Sequence, residues 1–203
     1  AWSLEGAGLV WVGLRQERRL ARAFGLLLQI GSGILFVGDS RLAADMAAVF
    51  NNRFLGGTML GVAGLCSAFW TERHDHQLHP YERAVSPFML AWGLVWWLGT
   101  GLVEIDRVLG YRHESVASLV FIALNAWAMV AMHRRLDWKQ MRWPPLGLLP
   151  VMMLVAVMGF EHPGLGHPFR QWWMLSWPLA VGMHVYLLHA LEGESWDRIE
   201  ALG

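Results

Sequence analysis

The chain has 203 residues, 55% of them hydrophobic and 16% charged, with sixteen basic and sixteen acidic side chains and zero net charge. A soluble domain carries about 45–50% apolar and about 25% charged residues, so a single water-soluble globule is excluded. The neutral balance gives no support to a nucleic-acid partner, and Cys66, the single cysteine, excludes an intrachain disulfide or a thiolate metal cluster.

The apolar residues come in blocks, and the charges fall almost entirely between them. A spanning helix needs roughly 20 mostly apolar residues. On that rule an all-α, polytopic transmembrane helix bundle of about seven spans is predicted. The spans lie near Ala1–Leu14, Ala23–Val37, Phe54–Trp70, Phe88–Val103, Ser115–Met132, Leu146–Phe160 and Trp172–Leu191. Residues 1–203 read as one transmembrane region, part of a longer multi-pass protein: the first residue is not Met, and no signal-peptide pattern is visible.

The first span, AWSLEGAGLVWVGL, carries one acid, Glu5, and is followed by Arg15, Arg18, Arg19 and Arg22. At about 1.5 Å per residue, Glu5 lies roughly 14 Å from the end of its span, near the middle of a hydrocarbon core about 30 Å thick. A charge there costs at least about 2.5–3.5 kcal/mol, so an acid is expected to face the bundle interior with a partner. The same depth count brings Asn125 of the fifth span and His184 of the seventh to the midplane, and Gln29 closer to the arginine-rich end. Glu5 is therefore expected to bond to His184 or Asn125, as a proton relay or as interhelical hydrogen-bond glue.

In the third span, Gly57, Gly61, Gly64 and Ala68 share one helical face, a small-residue seam that lets backbones approach closely. It reads as intrachain packing, a dimer seam or a sliding face. The connection ERHDHQLH gathers Glu72, His74, Asp75, His76 and His79, residue types that bind Zn²⁺. Their spacing fits no closed structural-zinc pattern, so no metal is expected there, nor at EHPGLGHP with His162 and His167. Glu104, Asp106, Arg107, Arg112, His113 and Glu114 crowd the connection after the fourth span. They read as a solvated ion-pair net or as the mouth for a polar substrate. Trp70, Trp143, Trp172 and Trp173 sit at span ends as interfacial anchors, whereas Trp92, Trp96, Trp97 and Trp127 lie deeper and read as packing. Pro87, Pro144, Pro145 and Pro163 fall in connections, and Pro150 and Pro178 inside spans.

Counting Lys and Arg in alternate connections puts eleven on one side and five on the other. The positive-inside rule makes the eleven cytoplasmic, with the N-terminus outside and the C-terminus inside. A short span that failed to cross would invert everything after it. Trp11 followed by Arg18-Arg19-Leu20, and Trp127 followed by Arg134-Arg135-Leu136, hint at a duplicated hairpin.

The stretches LEGAGLVWVGLRQERRLARAFGLLLQ, FNNRFLGG and WWLGTGLVEIDRVLGYRHESVASL resemble a family of large bacterial membrane proteins, the domain of unknown function numbered two-three-three-nine. The similarity rests on scattered positions over nearly the whole chain: Leu4-Glu5-Gly6, Trp11, Gly13-Leu14-Arg15, Asn51, Arg53-Phe54-Leu55, Trp97 and Glu104-Ile105. It implies a many-pass protein of the bacterial inner membrane, whose partners are the bilayer and the remaining spans of the full-length protein. It transfers no catalytic residue and no cofactor. No phosphate-cradling glycine loop, serine nucleophile elbow or basic–aromatic nucleic-acid surface is present. Three functions stay open: transport or flipping of a cell-envelope constituent, a structural scaffold, or a membrane transferase. The reading leans away from an enzyme.

Overall fold

The computed structural model describes residues 1–38, 48–49, 51–109, 113–161 and 173–200. Its described residues form seven α-helices: α1 (Trp2–Arg15), α2 (Arg19–Gly38), α3 (Asn52–Arg73), α4 (Val85–Leu109), α5 (Glu114–Leu136), α6 (Leu148–Glu161) and α7 (Trp173–Glu200). Among the described residues, five stretches are long and apolar enough to cross a membrane: Arg19–Gly38, Asn52–Arg73, Pro80–Leu109, Glu114–Leu136 and Met174–Leu191. At 14 residues each, α1 and α6 are shorter than a full crossing. The second span, short on apolar count alone, reaches 20 residues because its helix begins among the arginines, at Arg19. Pro87 falls in the first turn of α4 rather than in a connection, and Pro150 in the first turn of α6; at both a missing N–H costs little, and among the described residues only Pro178 interrupts a helix interior.

The chain divides into two compact units, Ala1–Glu104 and Ile105–Gly203. In the first, α1 and α2 form a hairpin whose backbones touch. Its turn is a Schellman motif: the Arg18 amide donates to the Gly13 carbonyl (2.9 Å) and the Glu17 amide to that of Leu14 (3.3 Å). The left-handed position in this motif, φ 54°, is held by Glu17 where glycine is usual. Along the hairpin, a Cβ added to Gly25 would lie 2.5 Å from the Gly6 carbonyl oxygen, and one added to Gly6 would lie 2.5 Å from that of Gly25. Both positions therefore need a residue without a side chain.

On α3, Gly57, Gly61, Gly64 and Ala68 lie on the buried face and meet α4. A Cβ on Gly64 would come 2.8 Å from the Cα of Gly93, and one on Gly61 2.9 Å from the Trp97 amide. The seam is thus covered by the next helix of the same chain. Trp92 and Trp96 pack edge to face at 5.8 Å over Gly33 of α2, and so serve as packing. Opposite faces of these helices carry exposed Phe24, Leu27, Ile34, Leu35 and Val95, an outer surface suited to lipid.

The second unit has an apolar core of Leu119, Ala123, Ala126 and Val130 from α5, Leu148 and Met152 from α6, and Ala180, Leu187 and Ala190 from α7. Alanines on α5 and α7 let these helices approach closely. Beyond α5 the chain turns through a left-handed Asp137, φ 48°, and His133 Nδ1 lies 2.9 Å from the Trp138 carbonyl oxygen. Arg134 donates to the Ala190 carbonyl at 2.8 Å, tying the end of α5 to α7.

Candidate functional site

The buried residues of α2 are Arg22, Gly25, Gln29 and Gly33, spaced three, four and four, one stripe of a 3.6-residue helix. Two of the four are glycines that admit neighbouring helices; the other two are polar and sit inside an apolar bundle. Arg22 is 6% exposed and Gln29 is fully buried. Each therefore needs partners, because an unpaired polar group away from water carries its full desolvation cost.

Arg22 finds two. Its Nη1 donates to the Gly13 carbonyl at 3.1 Å, satisfying an acceptor at the C-terminus of α1, where a cation is also favoured by the helix dipole. Its Nη2 reaches both carboxylate oxygens of Glu82, each at 2.9 Å. Glu82 lies in a short 3₁₀ turn, Pro80–Glu82, and closes a capping box by accepting the His79 amide at 3.1 Å. That turn is stiffened by Pro80 at its start and by the rings of His79 and Tyr81, 3.6 Å apart. The connections after α1 and after α3 therefore meet at one end of the unit.

Deeper in the bundle, the Gln29 amide nitrogen donates to Ser67 Oγ at 2.9 Å, and Ser67 Oγ lies 3.2 Å from the Gln29 amide oxygen. One turn further along α3, the Thr71 hydroxyl donates to the Ser67 carbonyl at 2.6 Å. Ser86 of α4 donates to the carbonyl of Ala68 at 2.9 Å. A polar track thus runs from Glu82 and Arg22 past Thr71 to Ser67 and Gln29. Beside it lies a cavity of about 200 Å³ lined by Arg22, Thr71 and Glu82 together with Val10, Leu26 and Leu78.

A second polar cluster occupies the opposite end of the unit. Asn51 caps α3, its side-chain oxygen accepting the Phe54 amide at 2.7 Å, while its Nδ2 donates to both oxygens of Glu104 at 3.1 and 3.2 Å. Glu104 also accepts the Val49 amide at 2.7 Å. Val49 stands at φ 64°, a left-handed conformation that a β-branched residue rarely adopts. With both ends paired in this way, the four helices of the unit alternate in direction.

The residues singled out from sequence distribute as follows. Glu104 is buried against Asn51, whereas Asp106, Arg107 and His113 are exposed, and Arg112 lies outside the described residues. Glu5 stands on the exposed face of α1 in the first unit. Asn125 and His184 belong to the second unit; Asn125 Nδ2 donates to the Phe121 carbonyl at 2.8 Å, and His184 Nδ1 is buried with no partner among the described residues. Among the described residues no group of three or more His, Cys, Asp or Glu side chains is placed to hold a metal ion, and His162 and His167 lie outside them. Sequence reasoning counted Arg22 only as a topological charge and passed over Glu82 and Ser67. The signal available was the stripe itself, because Arg22 and Gln29 fall in register with Gly25 and Gly33.

Five stretches able to span a bilayer, with buried polar clusters at two ends of one helical unit, describe an integral membrane protein. The family model described as "Predicted membrane protein (DUF2339)" matches residues 1–202. The chain belongs to the DUF2339 family. No curated protein and no solved structure matches it. The DUF2339 description states location and class and no reaction.

Proposed function

We propose that this DUF2339 protein moves an amphiphilic cell-envelope constituent across or within the bacterial inner membrane, using the polar track of its first unit. The observation that carries this reading is the Arg22–Glu82 pair, a charge pair at one end of the helical unit, with Arg22 buried, lining a cavity. A buried ion pair is weak support for stability, since apolar residues of similar volume often serve a bundle as well. Ionisable and polar groups inside a membrane protein more often mark a path for polar cargo. The Asn51–Glu104 cluster at the other end supplies a second polar station, and the glycine seams between α1 and α2 and between α3 and α4 provide smooth faces along which helices can slide.

The test is a deletion strain analysed for envelope lipid, glycan and solute content. Transport predicts accumulation of one constituent, reversed by the unaltered gene and not by Glu82→Gln at matched protein levels. Unchanged composition, or full rescue by Glu82→Gln, would leave the scaffold reading in its place.

A further inference from the structure

Two helices of the first unit end alike. On α1, Leu4, Gly8, Trp11 and Arg15 are spaced four, three and four, one stripe of a helix. On α3, Leu55, Met59, Val62, Cys66, Phe69 and Arg73 make a longer stripe with the same alternation. Both stripes face outward: Leu4, Trp11, Leu55, Met59 and Val62 are 38–43% exposed, and Arg15 and Arg73 are exposed at the ends. Each stripe closes on an arginine laid over an aromatic ring one turn earlier. The Arg15 guanidinium lies 5.2 Å from the centre of Trp11, and that of Arg73 4.9 Å from Phe69, both within cation–π reach. The rings of Trp11 and Trp70, 6.3 Å apart, join the two helix ends.

A guanidinium stacked on a ring uses its face and keeps its N–H edge for oxygen acceptors. Arg15 makes no hydrogen bond or ion pair among the described residues, so its donors serve an acceptor from outside. The surrounding charge sets the sign of that acceptor. Residues 15–22 and 72–83 form this end of the unit and hold six arginines against four carboxylates, an excess that favours an anion. Arg22 and Arg83 are already engaged, with Glu82 and Asp75. A soluble anion would use the arginines and leave the apolar stripe idle. From Leu55 to Phe69 that stripe runs about 21 Å at about 1.5 Å per residue, more than the roughly 15 Å of hydrocarbon in one leaflet. We propose that this face of α1 and α3 binds an anionic phospholipid, with its headgroup phosphate at the stacked arginines and an acyl chain along Val62, Cys66 and Phe69. The site is separate from the Arg22–Glu82 track and does not depend on the transport reading.

The test uses the full chain in nanodiscs of phosphatidylcholine, doped with a probe lipid carrying a diazirine in mid-chain. One probe has a phosphatidylglycerol headgroup and the other phosphatidylcholine. Labelling of peptides containing Val62 or Phe69 is expected to favour the glycerol probe by about fivefold for each arginine engaged, the pull of one basic side chain on an anionic lipid. Val95, 69% exposed on α4, is the internal control and should take both probes equally. This comparison needs no variant. Arg15→Gln combined with Arg73→Gln should remove the preference without moving the unfolding midpoint in sodium dodecyl sulfate, whereas Arg53→Gln, at the opposite end of α3, should keep it. Equal labelling at Val62 and Phe69, or the same preference at Val95, marks lipid met at random and overturns the proposal. A preference that survives the double variant does so too. Loss of the preference in millimolar inorganic phosphate, but not in chloride of equal ionic strength, would make the site one for a free anion and likewise overturn it.

Discussion

Replacing Gly25 by Ala tests the packing argument most directly. The added Cβ would sit 2.5 Å from the Gly6 carbonyl oxygen, 2.9 Å from the Val10 amide and 3.0 Å from Val10 Cγ2. Two of these atoms are backbone, so no side chain can swing aside. Restoring a contact of about 3.5 Å requires α1 and α2 to part by about 1 Å. Forced overpacking of this kind costs about 1–3 kcal/mol. In a membrane, where close packing rather than hydrophobic burial drives helix association, little offsets that loss. Gly31 on the same helix is the control, because a Cβ there meets nothing within 4 Å. Gly31→Ala should be neutral or stabilise by up to about 1 kcal/mol through helix propensity. The assay is unfolding by sodium dodecyl sulfate titration in one detergent, followed by tryptophan fluorescence. Gly25→Ala should shift the midpoint down and Gly31→Ala should not. Equal tolerance at the two positions would refute the tight hairpin and, with it, the seating of Arg22 on Gly13.

Glu17→Gly should stabilise the same transition by about 0.5–1 kcal/mol, since glycine accepts the left-handed position that glutamate occupies under strain; destabilisation would show that the Schellman turn is absent. Glu82→Gln leaves the buried Arg22 charge without its anion, at a cost near the lower end of about 3–5 kcal/mol because Glu82 keeps 20% side-chain exposure. Arg22→Met combined with Glu82→Leu should recover much of that loss, and a double variant as unstable as the single one would count against a desolvated pair. Gln29→Leu should cost no more than about 1 kcal/mol, as interhelical hydrogen bonds in membranes average about 0.6; a loss several times larger would give Gln29 a role beyond bridging to Ser67. For topology, Cys66→Ala supplies the background, with single cysteines placed at Arg18, Arg134 and Asn52, the last an exposed neighbour of the buried Asn51. An impermeant maleimide on intact cells should label only the Asn52 site, and labelling at Arg18 would reverse the proposed orientation.

Sequence alone was enough for the class and for the rough position of each of the seven α-helices among the described residues. Block hydrophobicity answers to bilayer thickness, and that relation is local: each block either is or is not long enough to cross. It was also enough for the small-residue face of α3, because a helix face follows from a 3.6-residue period without knowledge of its partner. Tertiary structure decided which face meets which neighbour. Gly64 meets Gly93, Gly25 meets Gly6, and Gln29 meets Ser67, thirty-eight residues away. It also changed the meaning of single charges. Arg22 counts in sequence as one more cation flanking a span, yet it is buried on the carbonyl of Gly13 and the carboxylate of Glu82, sixty residues on. Glu104 reads as one of a crowd of mixed charges, yet it is buried and clamps the cap of α3. Composition and periodicity report how much polar surface a segment carries and on which side. Whether a charge is solvated or buried depends on the chain brought against it from far along the sequence, and only the assembled helices supply that partner.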